Sequence, residues 1–279
     1  MSQVLTIRQL EIDEPKVKQV VKVPELVLNE GEILGIVGES GSGKSVTVKT
    51  AIGLLPKTLR GSYQELSLFG KNPYQLSAKE LRALIGKNVG FIPQNTVEYL
   101  HPLLPIEKQL IDGYMTQGYG DKQAAIKRAI EMLTAVGIQN PPQLLKQLPQ
   151  ELSGGMRQRV NIAMAMMCDP KLIIADEPTT ALDAEVQHQV MELLASIHRK
   201  TTNTMIIISH DLSLIKAYSD RVVVMYQGNI QETGTVEEIF ENPQADYTKA
   251  LLAVNLTLDQ DPDEPLKDIS YFMERNIIL

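Results

Sequence analysis

Gly38-Glu39-Ser40-Gly41-Ser42-Gly43-Lys44-Ser45 follows a short apolar run, Ile33–Val37, and leads into a stretch of helical composition at residues 44–55. The spacing fits G-x-x-x-x-G-K-[ST] between a strand and a helix, the setting in which such a loop cradles phosphates. Glycines let successive backbone N–H groups turn inward, and the helix start adds its positive dipole end. Lys44 is then placed to reach the outer phosphates and Ser45 to ligate Mg²⁺, with Val46 continuing the cradle into the first helical turn. A loop of this kind implies a nucleoside triphosphate. It leaves kinases, GTPases and motors all open, because the fold around it serves many chemistries.

Outward from the loop, the pattern is strand-rich on the N-terminal side, with alternation at residues 4–12 and 20–28, then strands at 63–69 and Val89–Ile92. Ser77 and Glu80 are spaced as a capping box for a helix between the last two. Residues 105–148 lose the strand signals and become helical from Asp121 to Gly137, which reads as an insertion. Helix and strand then alternate: a helix to Met167, a strand at Leu172–Asp176, a helix at 183–200, and strands at 204–209 and Arg221–Tyr226. A turn at 227–229, a short strand near 230–232 and a small helix at 236–240 follow. This is an α/β chain with a largely parallel sheet. Residues 259–268 are acidic and proline-bearing, so a solvated linker is expected before the apolar end at 269–279.

Composition excludes several classes. With 43% hydrophobic and 22% charged residues in 279, the chain is globular rather than disordered. Its apolar runs are strand-sized, well short of the roughly 18 residues of a membrane span, and residues 1–10 do not read as a secretory signal. A formal charge of −7 without a basic cluster disfavours nucleic acid. The single cysteine, Cys168, allows no internal disulfide.

Two further motifs narrow the choice. Leu172-Ile173-Ile174-Ala175-Asp176-Glu177 is an apolar strand ending in two carboxylates, where Asp176 can hold Mg²⁺ through water and Glu177 can polarise an attacking water. Between the loop and this strand lies Leu152-Ser153-Gly154-Gly155-Met156-Arg157-Gln158-Arg159. Here the sequence resembles the ATP-binding cassette family from about Leu5 to Leu252. The Met-Arg-Gln-Arg continuation and Asp176-Glu177-Pro178-Thr179-Thr180-Ala181-Leu182-Asp183 resemble its oligopeptide, dipeptide and nickel importer branch. Asn242-Pro243 with Tyr247-Thr248-Lys249-Ala250-Leu251-Leu252 is similar to the end of peptide-importer cassettes.

The resemblance implies a phosphate-loop NTPase (RecA-like) core with an antiparallel β subdomain and an inserted α-helical subdomain. Within one domain, residues 1–93 and 156–240 would form the nucleotide-binding core, 94–155 the helical subdomain with the signature, and 241–279 a tail. It implies ATP and Mg²⁺ as cofactors and coupled ATP hydrolysis. Gln94 would contact Mg²⁺ or the attacking water, His210 would reach the γ-phosphate, and Asp183 would lie in the loop crossing the seam with a second cassette. Ser153, Gly154 and Gly155 would form a second anion cradle serving the ATP held by that partner, which is expected to be a related, non-identical chain. Two membrane permease subunits, an extracellular solute-binding protein acting through them, and a place on the cytoplasmic face of the membrane complete the expectation.

Two departures stand out. Where the family usually places an aromatic residue to stack on adenine, this chain has Asp13-Glu14-Pro15, and a lone Cys168 gives no cysteine set for an iron–sulfur site. The alternatives are a regulatory, catalytically weak cassette and a soluble cassette ATPase acting on DNA or ribosomes. About 110 residues separate Ser45 from Ser153 without sustained heptads, which disfavours the long coiled coil of chromosome-organising members. Glu177, His210 and an intact signature disfavour the regulatory reading.

Overall fold

The computed structural model describes residues 2–14, 17–94, 99–180 and 182–257. Pro15, Ala181 and the expected linker and apolar end at 259–279 lie outside the described residues. The chain divides into two compact units, residues 1–73 with 207–279 and residues 74–206.

The first unit starts with β1 (Gln3–Glu14), β2 (Val17–Asn29), β3 (Ile33–Val37), α1 (Lys44–Ala51), β4 (Arg60–Ser62) and β5 (Glu65–Leu68). The second contains α2 (Ala78–Asn88), β6 (Val89–Ile92), α3 (Ile106–Thr116), α4 (Lys122–Ala135), α5 (Pro141–Leu144), α6 (Gly154–Met166), β7 (Leu172–Asp176) and α7 (Ala184–Thr201). Strand β8 (Thr204–Ile208) passes from the second unit into the first, which then adds α8 (Leu212–Tyr218), β9 (Arg221–Tyr226), β10 (Asn229–Thr235), α9 (Val236–Glu241) and α10 (Asp246–Thr257).

In the first unit the strand order is β4-β1-β2-β10-β9-β3, with β5 also on β1. Antiparallel pairing joins β1 to β2, β4 and β5, and β10 to β9, whereas β3 runs parallel to β9. All five residues of β3 are buried, as a continuous apolar run covered on both faces requires. Its start is pinned by polar groups: the Asp220 carboxylate accepts from the Ile33 N–H at 2.8 Å, and Arg221 pairs with Glu32 at 2.7 Å. Helix α1 ends earlier than residue 55 because Gly53, at φ 79°, stops it. The Leu54 N–H bonds the Lys49 carbonyl at 2.8 Å and the Gly53 N–H the Thr50 carbonyl at 3.0 Å, a Schellman closure that needs a left-handed residue.

In the second unit β6 and β7 are parallel, with Val89 opposite Leu172 and Ile92 opposite Ala175, and the Thr204 N–H bonds the Lys171 carbonyl at 2.8 Å. The insertion is helical as expected. Asp121 caps α4 through the Ala124 N–H at 2.9 Å, and Ala125, Ala129 and Leu133 form its buried stripe. The Ser77–Glu80 capping box is present at the start of α2.

Helix α10 packs into the first unit through Tyr247, which is 2% exposed and stacks on Tyr226 with ring centroids 4.2 Å apart. Burial, reinforced by the negative charge of Glu39, pushes the Tyr247 hydroxyl up from 10.0 to about 12. The native state therefore holds the proton more tightly than the unfolded chain between pH 10 and about 12. The stability that the neutral phenol supports is complete below pH 10 and declines as pH rises through that window. Thermal unfolding at pH 9, 10 and 11 should show the parent losing stability relative to Tyr247→Phe, which has no proton to lose. Parallel pH dependence in the two proteins would contradict a buried neutral phenol.

Candidate functional site

In the first unit the phosphate loop leaves the carboxyl end of β3. Gly38 has φ 146°, and a Cβ there would lie 2.0 Å from the Met225 carbonyl oxygen on β9, so only glycine lets the chain turn so close to the neighbouring strand. The loop is tied from its other side as well: the Gly228 N–H donates to the Ser42 carbonyl at 3.1 Å, and the Gly228 carbonyl accepts from the Lys22 N–H at 2.6 Å. Gly43 occupies the N-cap of α1, so the helix begins with backbone N–H groups presented by Lys44 and Ser45. Lys44 is 4% exposed, and its ammonium donates to the carbonyls of Gly38 and Glu39, each at 2.7 Å, and to Ser42 Oγ at 3.4 Å.

His210 leaves the same end of the sheet. The Ser209 N–H, just beyond β8, bonds the Ile36 carbonyl near the end of β3 at 3.2 Å, and His210 follows in an exposed position. Asp211 fixes that corner by capping α8 through the Ser213 and Leu214 N–H groups at 2.9 and 3.3 Å, while Ser209 Oγ accepts from the Asp211 N–H at 3.0 Å.

The second unit places its carboxylates in the same manner. Because β6 and β7 run parallel and in register, Pro93-Gln94 and Asp176-Glu177 emerge at one end. Asp176 is 3% exposed. The Gln94 amide donates through Nε2 to Glu177 Oε2 at 2.8 Å, and the Thr180 hydroxyl donates to the same oxygen at 2.9 Å. These two neutral donors orient the carboxylate by gripping one of its oxygens. Glu177 has φ 48°, although the residue before a proline favours extended backbone. A non-glycine residue in that region costs about 1–3 kcal/mol and persists where its surroundings hold it. Here the Thr180 N–H closes a turn on the Glu177 carbonyl at 3.2 Å, and Gln158 Nε2 donates to the Pro178 carbonyl at 2.6 Å.

The signature residues start α6. Ser153 is its N-cap, accepting from the Met156 N–H at 3.3 Å. A Cβ on Gly154 would meet nothing within 4 Å, so that face of the helix start is open, whereas one on Gly155 would lie 3.4 Å from Val186 Cγ1. Val186 belongs to α7, which Asp183 caps through the Val186 N–H at 2.9 Å. The starts of α6 and α7 therefore pack together and bring Ser153, Gly154, Gly155 and Asp183 into one neighbourhood.

Three contributors were not singled out by the sequence. Thr180 and Gln158 fall inside motifs that drew attention to their neighbours, and Tyr247 was read only as part of a terminal pattern. The position of Thr180 between Glu177 and the α7 cap was the available signal. A buried glutamine on a helix gives none. Among the described residues, no group of three His, Cys, Asp or Glu side chains is arranged to hold a metal ion.

Residues 21–180 match the family described as ABC transporter. The oligopeptide transport ATP-binding protein OppD of Bacillus subtilis (strain 168) is 45% identical over 253 residues, covering 90% of this chain and 70% of that protein. The dipeptide transport ATP-binding protein DppD of Escherichia coli (strain K12) is 41% identical over 236 residues, covering 85% of this chain and 72% of its own length. Among solved structures, the ATP-binding cassette MJ0796, in a dimeric post-hydrolysis state bound to ADP and Pi, superposes with a TM-score of 0.70 at 25% identity, covering 83% of this chain and 98% of that one. From its sequence over most of its length and from the architecture of its phosphate loop, the chain belongs to the ABC transporter family of ATP-binding cassettes.

Proposed function

We propose that this chain is the ATP-binding and ATP-hydrolysing subunit of an importer for peptides or chemically similar solutes, including nickel or metal chelates, working from the cytoplasmic face of the membrane beneath two permease subunits. The reading rests chiefly on the phosphate loop, whose inward-turning backbone is fixed by Gly38 against β9 and whose Lys44 ammonium is held on the loop's own carbonyls. The identity to oligopeptide and dipeptide transport ATP-binding proteins supports the substrate class. No helix of the described residues is long and apolar enough to cross a membrane.

In this reading the backbone N–H groups of the loop from Glu39 to Val46 bind phosphate oxygens, and Lys44 transfers its donors from the Gly38 and Glu39 carbonyls to the β/γ-phosphates. Ser45, Asp176 and Gln94 supply oxygen ligands, directly or through water, of the hard kind that Mg²⁺ takes, and the Gln94 amide already turns its nitrogen toward Glu177. The cation would neutralise charge developing on the transferred phosphoryl group. Glu177 polarises the attacking water, and His210 donates to the γ-phosphate. Ser153, Gly154 and Gly155 grip the ATP held by a second, related cassette, with Asp183 at the shared seam, so ATP favours the closed pair over the open one. Loss of the γ-phosphate on hydrolysis reopens it. An external solute-binding protein would deliver cargo to the permeases.

Glu177→Gln should retain ATP binding and lose about 10²–10⁴-fold in hydrolysis, the range for a general base. Lys44→Ala should lose binding itself, and equal nucleotide affinity by calorimetry in Lys44→Ala and the parent would sink the loop assignment.

The shared site has its own test. Gly154→Asp projects its side chain into open space, so the chain should fold and bind ATP with parental affinity. In the reconstituted transporter the added carboxylate would face phosphate, and ATPase activity and import should fail together. Undisturbed ATPase in the complex would deny the signature a part in hydrolysis, and weakened ATP binding by the isolated chain would put it in the chain's own pocket.

A further inference from the structure

Helix α6 is buried through Val160, Ile162, Ala163 and Met166, and two polar side chains, Gln158 at 0% and Asn161 at 1% exposure, are buried along with them. Packing alone would be served better by an apolar side chain, because burying an amide without full hydrogen bonding is unfavourable. Gln158 uses only half of its amide: Nε2 donates to the Pro178 carbonyl at 2.6 Å, while Oε1 is buried with no hydrogen-bond partner among the described residues. The bond that is made is short, shielded from water and directed at one peptide unit. That peptide, Pro178–Thr179, is one beyond the peptide that follows Glu177, the residue held at φ 48°. Gln187 reinforces the next carbonyl, donating to Thr179 at 3.3 Å.

We propose that Gln158 is a positioning residue for hydrolysis: from the helix that begins at the signature turn, it holds the Glu177–Thr180 turn in its left-handed form and so aims the Glu177 carboxylate. Gln94 and Thr180 orient the carboxylate from the side-chain end, and Gln158 fixes the backbone from below. Without the bond at Pro178 the turn relaxes toward the extended backbone that a residue before proline prefers, and the carboxylate leaves its two donors. The same side chain makes α6 and the turn move as one piece. A displacement of Ser153–Gly155 is thereby felt at Glu177, which couples the cradle offered to a partner's ATP with the water-polarising group of this chain. The inference rests on the roles proposed above for Glu177 and the signature.

Gln158→Met keeps the volume and removes the donor; Gln158→Asn keeps an amide too short to reach Pro178. Each would be purified as the full chain, checked for folding by its thermal melt and for ATP affinity by calorimetry. Each would then be reconstituted with its transport partners for steady-state ATPase measurements. Both variants should bind ATP within twofold of the parent and show kcat reduced by tenfold or more with KM within twofold. A cycle with Thr180→Val adds a readout that general loosening of the core would not give: because both residues act through Glu177, the double variant Gln158→Met/Thr180→Val should lose no more kcat than the worse single one. Parental kcat in either folded variant, or fully additive losses in the cycle, would overturn the proposal. If Gln158→Met fails to fold, Gln158→Asn carries the same decision. Parental hydrolysis by Glu177→Gln would instead remove the reading on which the inference stands, so the two failures are distinguishable.

Discussion

Parallel strand pairing is the constraint on which the phosphate loop, His210, Gln94, Asp176 and Glu177 all depend. Parallel neighbours end on the same side, so whatever follows each strand is delivered to one edge. In the first unit this brings the phosphate loop and His210 to the ends of β3 and β8, joined there by the bond from Ser209 to Ile36. In the second, the register that sets Ile92 opposite Ala175 puts Gln94 and Glu177, 83 residues apart in sequence, within 2.8 Å of each other. A slip of one residue in that pairing would turn each of these side chains to the opposite face. The buried apolar runs that hold register are thus as much part of the site as the polar groups they carry.

What the sequence made legible follows the same logic. Strands β3, β6, β7 and β9 have the bounds that their apolar runs predicted; β3, β7 and β9 are buried on both faces and so are apolar through their middles, whereas β6 alternates between half-buried and buried positions. The expected strand at 63–69 is the shorter β5, and β4 just before it, which pairs with a different stretch of β1, was not anticipated. Helix α8 went unseen, since seven residues are too few for a 3.6-residue period, although Asp211 ahead of it was a usable cap signal. Helix α10, with Tyr247, was anticipated only as a terminal motif.

The site was legible as a set of residue types and opaque as geometry. The loop announces itself because its chemistry demands glycine, lysine and serine at fixed spacing. Glu177 announces itself as an acid after an apolar strand. Nothing in the chain's order shows that its backbone is left-handed, that two neutral donors share one of its oxygens, or that a glutamine nineteen positions earlier holds the carbonyl of the proline after it. These depend on tertiary packing, and local patterns do not report it.

Several of these residues serve the fold and the proposed chemistry with the same atoms, and the two duties are compatible for a definite reason. Ser153 Oγ caps α6 as an acceptor, so its hydrogen is still there to give to a phosphate oxygen. Asp183 caps α7 through Oδ1 and retains a second carboxylate oxygen. Lys44 is different, because its ammonium is a donor only and is engaged with the loop's own carbonyls. Phosphate can therefore claim Lys44 only by exchange: two carbonyls give up a charged donor as oxygens of greater negative charge receive it. The loop is held in shape by contacts in which the lysine ammonium takes no part, namely Gly38 against Met225 and Ser42 against Gly228. A cradle whose frame is independent of its lysine can keep its form while the lysine moves, and this separation of frame from charge lets the same loop stand with either set of partners.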